Sequence, residues 1–369
     1  SHGRAVAVAR YLPLGVDEAA RRYVQRAVVD GKVAAASFKV KGDLWDFPFA
    51  AATAAGPAGR GEFRIAARAE DVTLAYVPGE PEALSAWPVF TRVNGELIFE
   101  RTSMDLRNIS ARVFGVELSR VNGSIRDLAQ PVLRIEGQGR GPLADQLRYV
   151  NATPISGWIG HALREATGSG NADFSLKLEI PLDAVARSTV QGRVVLAGND
   201  LRLGVATPLL AGAKARVDFS QHGFAIAGGS ARLLGGEASF EGGAQPDGSL
   251  RFAGQGVVSA DALRRAPELG ALSRLAGAMS GQTPYRLALG VVRGRAELTL
   301  TSPLTGLALD LPAPLKKSAE AAWPLRLETR LAADALHDTL RVELGSVLHA
   351  QYQRDLSRAV PQVQRGAIA

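Results

Sequence analysis

The sequence predicts a mainly β chain, an antiparallel meander interrupted by a few short helices. Three observations carry this. Apolar and polar residues alternate with period two over many short runs, the pattern of half-buried strands. Gly, Asn and Asp punctuate those runs about every 8 to 12 residues, as at Asn94-Gly95, Asn122-Gly123, Asn199-Asp200 and Asp247-Gly248. The 369 residues include 40 Gly but only 6% aromatics, a balance that favours turns over large core anchors. With 46% apolar and 21% charged residues, the chain buries a sizeable core and disorder is excluded.

The elements follow in order. Asp17 is placed to cap a helix in which Val16, Ala20, Tyr23, Val24, Ala27 and Val28 fall at helical spacing before Gly31. Strands come next. Leu97 and Phe99 alternate with Glu96, Ile98 and Glu100, and Val116 and Leu118 with Glu117 and Ser119. Phe174, Leu176, Leu178 and Ile180 alternate with Ser175, Lys177 and Glu179 up to Pro181. Leu287, Leu289 and Val291, then Leu298 and Leu300, repeat the pattern across a turn near Gly294. Short helices are expected at 143–150, 157–166 and 260–265, with another near 269–279. The domain reading is an N-terminal helical segment at 1–32, then one extended β segment at 33–369.

That segment repeats itself. Val93 to Gly115 and Ala213 to Gly235 match at an offset of 120 residues, pairing Leu97 with Val217, Phe99 with Phe219, Met104 with Phe224 and Leu106 with Ile226. Each copy then reaches a Gly-Gln-Gly (137–139 and 254–256) and an Ala-Asp-x-Leu-Arg (144–148 and 260–264). Related modules are therefore expected at about 93–148 and 213–264. Duplicated sheet-building modules extend a fold along one axis.

Catalytic equipment is sparse. The absence of Cys excludes disulfides, thiolate metal sites and Cys nucleophiles, and leaves the compartment open. The five His are isolated, and no nucleophile elbow or phosphate-binding Walker motif occurs. Gly137-Gln138-Gly139-Arg140-Gly141 reads as a strand bend. Asp43 and Asp46 flank Trp45, a carboxylate pair that a carbohydrate-active enzyme could use, although a charged turn with a partly buried Trp at a strand end accounts for them better. No cofactor and no metal are called for. The net charge of +7 is spread along the chain without the clustered Arg and aromatics of a nucleic-acid site. The longest stretch without Asp, Glu, Lys or Arg, Tyr149 to Leu163, is 15 residues, short of the about 20 that a spanning helix needs.

What the chain has in quantity is an apolar strand face, which must be covered. One reading is an ordinary closed core. The other is a sheet that curls without closing, leaving a trough for hydrocarbon. An acyl chain in water costs about 0.8 kcal/mol per CH₂, roughly 12 kcal/mol for a 16-carbon tail, which a dry trough offsets without any catalytic residue. Periodicity alone leaves both open.

Three stretches narrow the choice. Tyr11-Leu12-Pro13 precedes the helix and then Val40-Lys41-Gly42-Asp43-Leu44-Trp45-Asp46-Phe47-Pro48-Phe49. Gly61-Glu62-Phe63 leads through Val72-Thr73-Leu74-Ala75-Tyr76 to Trp87-Pro88 and the strands from Val93 to Gly115. The third runs from Ser302-Pro303-Leu304-Thr305-Gly306 through Leu309-Asp310-Leu311-Pro312 to Lys316-Lys317. In this order they resemble the AsmA-like proteins of the Gram-negative envelope, most closely the YhdP-type branch, over nearly the whole chain. The stretch from Gly79 to Ala86 is an insertion relative to that pattern.

The resemblance implies an elongated, strongly bent antiparallel sheet forming an open hydrophobic groove. It implies a periplasmic protein, anchored to the inner membrane by a segment outside this chain, that moves phospholipid between inner and outer membranes without catalysis. The start at Ser1-His2-Gly3, with no Met, fits a middle segment. Phospholipid is the expected partner, with the two membranes engaged through parts outside the segment and no nucleic acid. The resemblance carries no active-site residue. From alternation, the groove candidates are Leu97, Phe99, Met104, Leu106, Phe174, Leu176, Leu178, Ile180, Phe219, Leu287, Leu289, Leu298 and Leu300. The alternatives are a structural or adhesive β scaffold with a closed core, and the carbohydrate-active enzyme.

Overall fold

A computed structural model describes residues 3–11, 18–43, 45, 47, 49, 59, 61–79, 86–205, 207–292, 295–334, 336–357 and 361–369. The fold is mainly β, and its strands form one antiparallel sheet that does not close into a barrel. The chain divides into two units, Ser1–Arg164 with Asn171–Val194, and Glu165–Gly170 with Val195–Ala369. Among the described residues, no helix is long and apolar enough to cross a membrane.

The first unit opens with β1 (Gly3–Arg4), a 3-10 turn at Ala5–Tyr11 and helix α1 (Glu18–Ala27). Strands β2 (Val28–Gly42), β3 (Gly61–Leu74), β4 (Phe90–Glu100), β5 (Ser103–Val113), β6 (Val116–Ile125) and β7 (Val132–Pro142) follow. Helices α2 (Leu143–Asn151) and α3 (Ile155–Trp158) come next. After β8 (Thr167–Gly168), β9 (Asn171–Pro181) returns to pair with β7. Strands β2 to β7 pair antiparallel in chain order, and β1 pairs with β2.

Strand β10 (Thr189–Arg202) carries the chain into the second unit, where its end pairs with β8. There β11 (Leu210–Ser220), β12 (Gly223–Leu233), β13 (Gly236–Ala244) and β14 (Leu250–Ser259) form consecutive hairpins. Helices α4 (Ala260–Arg264) and α5 (Ala271–Leu275) precede β15 (Met279–Val292) and β16 (Arg295–Ser302). The short β17 (Leu307–Leu309) pairs with the start of β15. Strands β18 (Leu325–Leu331), β19 (His337–Leu344), β20 (Leu348–Asp355) and β21 (Gln362–Ile368) continue from β16.

Several sequence expectations are corrected. Asn94-Gly95, Asn122-Gly123 and Asn199-Asp200 are not turns; they lie inside β4, β6 and β10, while Asp247-Gly248 does sit between two strands. The first helix ends at Ala27 and Val28 already belongs to β2; Val16 and Asp17 lie outside the described residues. The helix expected at 157–166 is the four-residue α3, and the one near 269–279 is broken into 3-10 turns flanking α5. Gly270, at φ 57°, separates the first of those turns from α5. The turn near Gly294 and the whole of Asp46 also fall outside the described residues.

The interior Asn-Gly pairs have a physical reason. Each of β3 to β6 carries one residue too many for its partner, and the surplus residue sits in left-handed backbone: Asp71, Arg92, Asn108 and Arg120, at φ 49°, 52°, 50° and 52°. Such a bulge exchanges the two faces of the strand beyond it. In β5, Met104 and Leu106 precede the bulge and Ile109, Ala111 and Val113 follow it, so the sequence changes phase while the side chains stay on one face. The repeat shares this construction. Pairings Leu97 with Leu106 and Phe99 with Met104 recur 120 residues later as Val217 with Ile226 and Phe219 with Phe224. Gly212 and Gly228, at φ 60° and 61°, stand where Arg92 and Asn108 stand in the first copy.

Fully buried cores occupy one end of the strands in each unit. In the first, Ala5, Val72, Val93 and Ala111 pack together. In the second, Ala260 and Leu263 of α4 join Ala276, Met279, Leu304, Leu307, Leu309 and Leu344.

Candidate functional site

The registers bring the sequence candidates of each unit onto one face. In the first unit, Leu97 stands opposite Leu106 and Phe99 opposite Met104. Met104 then meets Ile125, Ile125 meets Leu133, and Leu133 meets Ile180. Along the same two strands Ile135 faces Leu178, Gly137 faces Leu176 and Gly139 faces Phe174. All eight first-unit candidates therefore share a face. In the second unit, Phe219 pairs with Phe224, and the row Ile226, Gly242, Phe252, Leu289, Leu298 crosses five strands. Leu287 with Leu300, continued by Leu327 and Val342, forms the adjacent row. The five second-unit candidates share that face. Alternation missed Leu133, Ile135, Phe224, Ile226, Phe252 and Leu327, which occupy it as well.

Burial distinguishes this surface from the closed cores. Each of the thirteen candidates is half-buried, neither sealed nor fully exposed. On the same face, at the strand ends where the cores lie, Val113 and Val116 are 5% and 2% exposed. The first unit's closed end carries an aromatic cluster: Tyr76 stacks on Phe90 at 4.3 Å, touches Trp87 at 5.9 Å, and its hydroxyl meets that of Tyr149 at 2.7 Å. Burial, with Tyr149 beside it, holds the Tyr76 phenol protonated well above its ordinary range.

Glycine supplies the room. The Gly-Gln-Gly segment is the middle of β7, with Gly137 and Gly139 on the apolar face and Gln138 on the other. A Cβ at Gly137 would lie 2.7 Å from the Val121 side chain, and one at Gly139 would overlap the Phe174 ring. These glycines admit bulky neighbours from adjacent strands; the segment is no phosphate loop.

The opposite face is charged and self-neutralising. Arg134 pairs with Glu179 at 2.9 Å, Arg140 with Asp173 at 3.4 Å and Arg107 with Asp105 at 3.0 Å. A depression of about 640 Å³ in the first unit is lined by residues of both faces, Leu106, Ile135 and Leu178 together with Arg107, Arg134 and Glu136 among them. Ile98, 3% exposed and paired with Asp105, is an apolar residue on the charged side. Asp43 is exposed and its carboxylate accepts from the Trp45 backbone N–H at 3.0 Å, the geometry of a turn. No cluster of three potential metal ligands occurs among the described residues.

With the geometry in place, comparison with known proteins is decisive for the family. A family profile described as "YhdP protein" matches residues 1–369. The chain belongs to the YhdP family. A curated relative of this YhdP-family chain, the intermembrane phospholipid transporter YhdP of Escherichia coli (strain K12), is 25% identical over 179 residues. That match covers 48% of this chain and 13% of the relative, so the chain corresponds to a small part of that protein's length. No solved structure matches the chain.

Proposed function

We propose that this segment holds phospholipid acyl chains against the apolar faces of its two units, as part of a non-enzymatic route between inner and outer membranes. The observation that carries the reading is the half-burial of all thirteen alternation residues on one face per unit. A closed core would bury them as completely as Val116. An acyl chain laid on such a face recovers much of the roughly 0.8 kcal/mol per CH₂ that water exacts, while its headgroup stays wet. The name of the Escherichia coli relative supports phospholipid as cargo. In this reading the protein works in the periplasm, an inner-membrane anchor lies outside this chain, and each of the modules at about 93–148 and 213–264 gives its unit a copy of the same lipid-facing surface.

Purified segment should co-purify with phospholipid, seen by native mass spectrometry and by extraction. A photoreactive amino acid at Leu178 should cross-link an acyl chain, whereas one at Lys177, next along β9 and on the charged face, should not. Lipid-free protein that takes up no fluorescent phospholipid, or equal cross-linking at both positions, overturns the proposal.

A further inference from the structure

The sequence Arg-Val-Asn-Gly occurs twice, at 92–95 and 120–123, and both copies have the same geometry. In each, the Arg is left-handed. The Val points to the apolar face, Val93 opposite Val72 and Val121 opposite Ile109. The Asn side chain then ties two strands together. The Oδ1 of Asn94 accepts from the backbone N–H of Asp71 at 3.0 Å, and its Nδ2 donates to the Arg92 carbonyl at 2.7 Å. The Oδ1 of Asn122 accepts from the N–H of Asn108 at 3.0 Å, and its Nδ2 donates to the Arg120 carbonyl at 3.3 Å. The two N–H groups so held belong to the surplus residues of β3 and β5, which a bulge leaves without a ladder partner. The Gly completes the motif by clearing space: a Cβ at Gly95 would lie 2.5 Å from the Ile109 side chain, and one at Gly123 would lie 3.1 Å from that of Leu106.

We propose that Asn94 and Asn122 are positioning residues, each fixing the one-residue phase shift of the strand before it so that both halves of that strand present apolar side chains to the same face. The second copy of the module supplies an internal comparison. There the left-handed residue of β12 is Gly228, which adopts that backbone without a side chain to strain, and, since Gly242 pairs with Ile226 as Gly123 pairs with Leu106, the position corresponding to Asn122 is Glu241. At the other left-handed glycine, Gly212 of β11, the Asp200 carboxylate accepts from the N–H at 2.9 Å, so a side-chain acceptor serves a surplus residue in the second copy as well. This inference rests on the lipid-holding reading only for its consequence; the clamp is a property of the sheet.

The test uses Asn122→Ala and Asn122→Asp, the latter keeping an acceptor for Asn108. Hydrogen exchange reads the clamp directly: the Asn108 amide should exchange at least tenfold faster in the Ala variant and near the wild-type rate in the Asp variant. A phospholipid with a photoreactive acyl chain reads the phase. Wild type should give adducts at Leu106 and Ile109, on either side of the bulge, and at Leu178 on β9. The Ala variant should lose most of the Ile109 adduct with Leu178 retained, and the Asp variant should recover it. Unchanged Asn108 exchange, or loss of all three adducts in proportion to stability, overturns the proposal. If wild type gives no adduct anywhere, the lipid reading falls, and single cysteines at 109 and 110 in this Cys-free chain decide the clamp: their relative reactivity toward a water-soluble thiol reagent must change in the Ala variant, and constancy refutes it.

Discussion

A charge placed on the apolar face separates a lipid-facing surface from a core. Leu178→Glu and Val116→Glu put the same carboxylate on the same face of the first unit, at positions that differ in burial. Val116 is 2% exposed between Val113 and the end of β7. A carboxylate there loses the valine's burial, about 1.5–3 kcal/mol, and adds several kcal/mol for an unpaired buried charge. The expected cost exceeds about 4 kcal/mol, a large part of a domain's stability. Leu178 is only half-buried beside Ile135, so water still reaches a carboxylate there. The loss is then confined to part of the leucine's burial, about 1–2 kcal/mol. Urea unfolding followed by far-UV circular dichroism measures both, and lipid extraction from the same preparations measures occupancy. Leu178→Glu should fold and retain little phospholipid, while Val116→Glu should unfold at low denaturant. Equal destabilisation by the two substitutions refutes the distinction between an open surface and a sealed end.

Three further outcomes are expected. Lys317, 3% exposed, donates from its ammonium to the carbonyls of Leu304, Leu307 and Ser318 at 2.8, 2.7 and 2.9 Å; Lys317→Met strands those acceptors and should cost about 2–4 kcal/mol in denaturant melts, with an unchanged midpoint counting against the staple. Gly139→Val drives a side chain into the Phe174 ring and should cost about 1–3 kcal/mol, with Phe174→Ala relieving part of it in the double variant; strict additivity would remove the contact as the cause. His337 Nδ1–H donates to the Asp334 carboxylate at 2.6 Å, which raises the imidazole pKa and lowers that of the carboxyl. The pair's stabilisation is therefore complete between the unfolded carboxyl and imidazole values, about 3.9 and 6.5, and is lost as pH rises through the elevated histidine pKa or falls through the depressed aspartate one. An NMR titration of His337 should show a midpoint that falls on Asp334→Asn.

The legible part of the fold was what local pattern dictates. Phe174 to Ile180 read as a strand because β9 carries no bulge, so seven residues keep one phase. The same holds for Leu287 to Val291 against Leu298 and Leu300. Repetition at an offset of 120 residues was visible because both copies preserve the bulge positions. Illegible were the strands that change phase. Both β5 and β6 are interrupted by a left-handed residue, so alternation shows only half of each, and Ile109, Val121 and Ile125 escape it. Asn-Gly reads as a turn because that pair satisfies left-handed backbone in hairpins. In β4 and β6 the left-handed residue is the Arg two positions earlier, and the Asn serves the neighbouring strand.

The phase shifts bear on how one sheet can offer hydrocarbon a surface. A strand of 11 residues in strict alternation is uniform along its length; it has one apolar edge and gives no means of ending the lipid-facing part. With a bulge in its middle, β5 has two halves that take different partners. One half, at Ala111, meets the closed core; the other, at Met104 and Leu106, stays half-buried. Bulges also bend the strand that carries them and increase its local twist, so a row of them across β3 to β6 is a line along which the sheet turns. On the proposed reading the left-handed residues of β3, β5 and β6 mark where the permanently packed interior gives way to the surface kept for cargo. Relocating the boundary should relocate the cargo: deleting Asn108, the surplus residue of β5, should put Ile109 and Ala111 on the charged face, open the core at Val93, and destabilise the first unit far more than any single substitution on the Leu97 side. A deletion variant as stable as Leu178→Glu would show that the seam sets no such boundary.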